Sequence, residues 1–174
     1  MADINKLVPH LLKWEGGFVC DPDDLGGATN KGITFATYKR YCEKKRLPDP
    51  SVEDLKNIPV SQWIEILKTM YWDKLKGDRI ENQSLANILV DWFWLSGFVA
   101  IKEIQRIVGV RVDGIFGELT LGAINSYADP EILWGKIVAA RRDHIERICR
   151  ARPQNRKFRQ GWLNRLNSLR YGSY

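Results

Sequence analysis

The segment "SLANILVDWFWLSG", residues 84–97, constrains the fold more than any other part of the chain. It is a long apolar run, and a helix that is hydrophobic round most of its circumference has to be buried by its neighbours. It therefore reads as a central helix, with Gly97 breaking or kinking it before "FVAIKEIQRIV" resumes. Helices to cover it are present in the pattern. Ile4, Leu7, Leu11 and Trp14 recur at helical spacing, predicting a short helix over 3–15 in which Pro9 makes a kink or the true first turn. Gly16-Gly17 ends that helix, and residues 16–33 read as a loop or small hairpin. A second helix runs from Thr34 to about Lys45. Ser51 and Asp54 stand in capping-box spacing, and Ser61 is placed to cap "QWIEILKTMYWDKL". "VDGIFG" is a turn before "ELTLGAINSY". Asp129-Pro130 reads as a cap followed by proline at the first helical position, opening a helix up to Pro153; "RKFRQGWLNRLNSL" makes the last one. Period-two alternation never persists. The expected class is mainly α, divided softly near Gly97 into a first region, 1–96, and a second helical region, 97–174.

At 174 residues and 44% hydrophobic, the chain is long and apolar enough to bury a real core. No run approaches the roughly 20 apolar residues of a membrane span. "MADINKLVPHLLKWEGG" lacks the basic start and continuous apolar stretch of a secretory signal, so synthesis in the cytoplasm is expected. Cys20, Cys42 and Cys149 show neither a C-x-x-C metal spacing nor a disulfide framework, and read as free thiols. The net charge of +6 favours an anionic polymer as partner: nucleic acid, membrane surface or cell wall. From Glu131 to Tyr174 eleven Lys/Arg face three Asp/Glu, which leaves the rest of the chain slightly acidic. No helix-turn-helix pattern or aromatic-basic interleaving accompanies that charge, so no nucleic-acid partner is expected.

"KWEGGFVCDPDDLGGATNKGIT", residues 13–34, carries the chemistry. Glu15 ends a helix beside Trp14 and is followed by two glycines, a position that can face a cleft. Partial withdrawal from water favours the protonated form of a carboxyl, the form that gives a proton to a leaving oxygen. Glycosidic bonds need such a donor and a second group that directs water or stabilises the developing cation. Asp24 follows nine residues later and Thr29 five after that, within a glycine-rich loop able to fold back on the helix end. An EF-hand is excluded, because Leu25 and Gly32 stand where oxygen ligands belong; a phosphate-binding loop is excluded for want of G-x-x-x-x-G-K-[ST]. A purely structural loop with solvated acids stays open on the residues alone. No metal or cofactor is implied.

The stretch from Glu15 to Thr34 resembles the signature of glycoside hydrolase family 108, bacterial and phage lysozymes, written E-G-G-(aromatic)-x-x-D-P-x-D-x-G-G-x-T-x-x-G-I-T. The resemblance implies a lysozyme-like α-helical fold and N-acetylmuramidase activity on peptidoglycan, with Glu15 as catalytic acid. The glutamate, aspartate, threonine order is similar to that of phage lysozymes, although their aspartate–threonine interval is commonly a residue longer. Cys20 stands where family members usually carry asparagine, and "WLSG" where asparagine often precedes the glycine. Further on, Gln105, Asp113, Gly114, Gly117, Thr120 and Ala123 match a peptidoglycan-binding-like helical unit. That unit reads either as scaffold, with Thr120 as a local cap, or as a glycan contact. Phe158, Gly161, Trp162, Asn164 and Arg165 match the family's closing element. The expected protein is a monomer acting on the wall after release, with catalytic residues Glu15, Asp24 and Thr29. A lytic transglycosylase, which needs one acid only, and a non-catalytic wall-binding or secretion-accessory protein are the rival readings.

Overall fold

The computed structural model describes residues 1–20 and 27–174. The chain opens with a single 3-10 turn, Ile4–Lys6, capped by Asp3, and then α1, Val8–Trp14. The expected helix over 3–15 is thus two pieces, because Pro9 lacks the N–H that would continue the first and sits instead in the opening turn of the second. A two-stranded hairpin follows, β1 (Thr29–Asn30) against β2 (Ile33–Thr34). Lys31 and Gly32 form its turn, both with positive φ, the geometry that suits tight hairpins. Next come α2 (Phe35–Lys45), capped by Thr34, and α3 (Val52–Lys56), where Ser51 and Asp54 form the expected capping box. Helix α4, Val60–Leu67, starts one residue before Ser61, with Pro59 at its N-cap and no side-chain cap. It widens into a π-turn, Lys68–Trp72.

Helix α5, Gln83–Ser96, is the predicted centre: every residue from Gln83 to Trp94 is buried. Gly97 ends it at φ 55° and ψ −138°, a conformation open to glycine and strained for other residues, and α6, Phe98–Val108, leaves in a new direction. Then come α7 (Glu118–Asn125), α8 (Pro130–Ala151), with Asp129 capping and Pro130 in first position, and α9 (Arg156–Ser168). Helices α6 and α8 pack on α5, and α9 packs on α8. The core is continuous, running from Leu7 and Leu11 through Leu89 and Trp92 to Ile137 and Leu166. Burying each such side chain contributes about 1.5–3 kcal/mol. Among the described residues no helix is long and apolar enough to cross a membrane.

Thr120 is not a cap. It is buried in α7 and accepts from the Gln105 amide at 3.3 Å. Gln105 also donates to Asp113 Oδ1 (2.8 Å) and the Ile115 carbonyl (3.0 Å), while its own oxygen accepts from the N–H groups of Asp113 and Gly114. The residues read as a glycan-binding motif thus satisfy one another around the α6–α7 turn. That geometry favours their scaffold reading.

Candidate active site

Helix α1 ends at Glu15, whose N–H closes the last turn on the Leu11 carbonyl while its backbone is already extended. Two donors from distant parts of the chain converge on Glu15 Oε1: Trp94 Nε1 at 2.8 Å and Arg165 Nη1 at 2.8 Å. Among the described residues the hydrogen bonds to this carboxyl all fall on Oε1. Oε2 lies against the hairpin turn, where a Cβ added to Gly32 would collide with it and with the Trp94 ring. Glycine at 32 therefore does two things, adopting φ +77° and leaving room for the carboxyl. The turn is held from below. Trp63 Nε1 donates to the Lys31 carbonyl at 2.9 Å, and Asn30 Nδ2 donates to the carbonyls of Leu55 and Lys56.

Trp94 is itself wedged between aromatic rings, 5.5 Å from Trp63 and 4.5 Å from Tyr71, centroid to centroid. Tyr71 comes from the π-turn, a distortion that recurs at functional sites because it re-aims a side chain. Arg165, on α9, is anchored in turn by Asp91 on α5, with Nε 2.9 Å and Nη2 2.8 Å from Asp91 Oδ1. Asp91 Oδ2 accepts from Arg141 Nη2 at 2.8 Å, and His10 Nε2 stands 3.4 Å from Oδ1. The Asp91 side chain is fully buried, and those of Arg165 and Arg141 nearly so. Burial alone would push the Asp91 carboxyl up, but the Arg141 charge, the nearby His10 and Arg165 outweigh it and hold it well below the usual carboxylate range.

The expected site residues fare differently. Glu15 stands at a helix end as read, yet beside a guanidinium rather than in purely apolar surroundings. Thr29 is in β1, where it exchanges both backbone bonds with Val19 at 2.8 Å, and among the described residues its hydroxyl makes no hydrogen bond to Glu15. Asp24 lies outside the described residues. Asp91 and the orienting roles of Arg165 and Trp94 were not anticipated. The signal for Asp91 was a single acid inside an otherwise apolar helix, which a buried charge requires to be paired. Cys20 is exposed, Cys42 and Cys149 are buried, and all three are free. Among the described residues no group of three or more His, Cys, Asp or Glu side chains gathers as metal ligands.

Two grooves meet this site, one at Glu15 itself and one at its partner Trp94. One is lined by Trp14, Leu95, Lys157, Phe158 and Trp162 together with Glu15 and Arg165. The other is lined by Arg40, Tyr71, Lys74, Trp94 and Phe98. An acid in one aromatic, basic groove, with a second such groove at its Trp94 partner, is suited to a polymer that passes over it.

Comparison with known proteins agrees with that geometry. The family model for Glycosyl hydrolase 108 matches residues 8–97, and that for a Predicted Peptidoglycan domain matches residues 99–167. The solved structure of Brucella abortus SagA superposes with a TM-score of 0.76 at 30% identity, over 95% of this chain and 90% of that one. No curated protein matched in the sequence comparison. With a family model over half of the chain and a solved relative along nearly all of it, this chain belongs to glycosyl hydrolase family 108 and is a glycoside hydrolase directed at peptidoglycan.

Proposed function

We propose that the protein is an N-acetylmuramidase, hydrolysing the β-1,4 bond between N-acetylmuramic acid and N-acetylglucosamine, with Glu15 as general acid. The supporting observation is the division of labour across the Glu15 carboxyl. Oε1 is fixed by two N–H donors, which cannot receive a proton from it. Oε2 is thereby the oxygen that carries the proton to the leaving group. Trp94 and Arg165 set the direction of that delivery, and acid catalysis of this kind contributes about 100- to 10,000-fold. Asp24 acts as base or electrostatic partner, and Thr29 helps to place the attacking water. The protein is synthesised in the cytoplasm and acts on the wall after release, as a monomer and without a nucleic-acid partner.

Mass spectrometry of products from purified peptidoglycan, for the parent and Glu15→Gln, tests this reading. Reducing muropeptides are expected from the parent. Glu15→Gln, which keeps the shape and the acceptor on Oε1, should fold and lose about 100-fold or more in rate. Near-parent lysis by folded Glu15→Gln sinks the assignment. Asp24→Asn should lose most activity, though less than Glu15→Gln. The fresh product should be the α-anomer by NMR if a water stands between Glu15 and Asp24 in the inverting arrangement. Anhydro products with an active Asp24→Asn enzyme would identify a transglycosylase instead.

A further inference from the structure

The α9 groove beside Glu15 has a property that packing does not explain. Gly161 sits in the interior of a 13-residue helix, where glycine is the poorest former apart from proline. Among the described residues nothing lies within 4 Å of where its Cβ would be. No described neighbouring element needs the room, so among the described residues the missing side chain leaves open space. Lys157, Gly161 and Arg165 follow one another at intervals of four, so they form one stripe on α9. At 1.5 Å per residue that stripe runs about 12 Å, the span of about two linked pyranose rings, and it ends on the guanidinium that holds Glu15.

Along one flank of the stripe Phe158 and Trp162 sit one turn apart, centroids 5.8 Å with their planes tilted by 36°, and Phe158 is 48% exposed. Trp14 forms another part of the wall, its indole N–H fixed on the Ser168 hydroxyl at 2.9 Å. Flat aromatic faces fit the apolar C–H face of a sugar ring. The far end is cationic. Lys157 Nζ stands over the Phe158 ring at 4.8 Å, and among the described residues it pairs with no carboxylate. The guanidinium of Arg165, by contrast, is engaged by Glu15 and Asp91. An aromatic floor with one unengaged ammonium is complementary to an amino sugar that carries a carboxylate, not to a neutral one.

Building on the muramidase reading, we propose that this groove is a binding subsite for a carboxylate-bearing sugar of the glycan strand, with the ring over Gly161 against Phe158 and Trp162 and the carboxylate on Lys157. The carboxylate is either the free lactyl group of the muramoyl residue or its peptide stem.

Binding to the full-length Glu15→Gln protein, followed by calorimetry, tests the subsite without turnover. Three ligands separate the sources: a glycan strand with its peptide stems, the same strand with the stems removed and the lactyl carboxylates free, and chitotetraose. In that background Lys157→Gln should weaken binding of the carboxylate ligands about fivefold and of chitotetraose hardly at all, with Lys157→Arg restoring most of it. A loss on only one of the two strands identifies which carboxylate is held. Phe158→Ala should weaken all three ligands, about tenfold. Gly161→Leu separates a binding role from a structural one. It should raise or preserve the melting temperature, since leucine is the better helix former and its Cβ meets nothing, yet cost tenfold or more in affinity by filling the groove. Parent-like binding by Gly161→Leu, or equal losses on charged and neutral ligands with Lys157→Gln, overturns the subsite. A parent enzyme that releases no reducing muropeptide overturns the muramidase reading and leaves these binding results standing on their own.

Discussion

Asp91 shows what one residue does at the centre of the molecule. Two arginines and a histidine surround its buried carboxylate, and one of those arginines reaches on to Glu15. Breaking a buried ion pair by removing one partner leaves the other charge uncompensated, at a cost of about 3–5 kcal/mol. Asp91→Asn should therefore destabilise by about that amount, read from denaturant unfolding, while Arg165→Met should also cut activity because Glu15 loses a donor. The pH dependence has a definite sign. The folded carboxyl titrates lower than an unfolded aspartate, whose value is about 3.9. Its contribution is full above that value and is lost as pH falls through the lowered one. Melting temperatures from pH 5 to 2 should thus fall less steeply for Asp91→Asn than for the parent. Some slope will persist from exposed carboxylates such as Glu118, drawn down to about 2 by hydrogen bonds from Arg79 and Lys76. Identical slopes would mean that Asp91 is not held ionised by its partners.

The hairpin is the element against which the Glu15 carboxyl rests. Gly32→Ala puts a methyl into the space of Glu15 Oε2 and forces alanine to positive φ. The backbone term alone costs roughly 1–2 kcal/mol. Because the collision falls on Glu15 and Trp94, lysis should drop by more than stability explains: a protein still folded at assay temperature should lose at least about tenfold, as expected when a general acid is misplaced. A Gly32→Ala enzyme that is destabilised yet fully active per folded molecule would remove the hairpin from the site. Elements of this kind show where sequence reading succeeds. The helix start at Thr34, the Ser51–Asp54 box, the Asp129-Pro130 start and the break at Gly97 are local signals, each written within a few residues, and each stands in the structure. Glu15 was legible because its motif is contiguous. Arg165 belongs to a closing motif, but its partner lies 150 positions away, and no periodicity encodes a contact formed only when α9 folds back over α1. The π-turn escaped too, since "QWIEILKTMYWDKL" has an ordinary helical pattern and its distortion depends on how Tyr71 and Trp72 pack.

At the scale of the whole molecule, the two family-model matches meet around Gly97, yet the contacts that hold Glu15 cross that point. Four of the eleven Lys/Arg in the last 44 residues are turned inward or paired with carboxylates: Arg141 and Arg165 on Asp91, Arg147 on Glu103, Arg159 on Glu146. The core does the same, since Ile101, Ile104, Leu133 and Ile137 belong to one cluster with Leu89 and Trp92. A fragment of residues 1–97 would keep Glu15, Trp94 and the hairpin but lose Arg165 and Arg141. Asp91 would then stand among apolar residues without either guanidinium, and the face of α5 that α6 and α8 cover would be open to water. That fragment should show weak far-ultraviolet helicity, bind a hydrophobic dye and lyse walls at less than about one hundredth of the parent rate, the scale set by losing a placed general acid. Supplying residues 98–174 as a separate chain should recover part of both the helicity and the lysis, because the missing partners are contributed by packing rather than by chain connection. If residues 1–97 alone fold and lyse walls at the parent rate, then Arg165 and the helices beyond Gly97 play no part in holding Glu15.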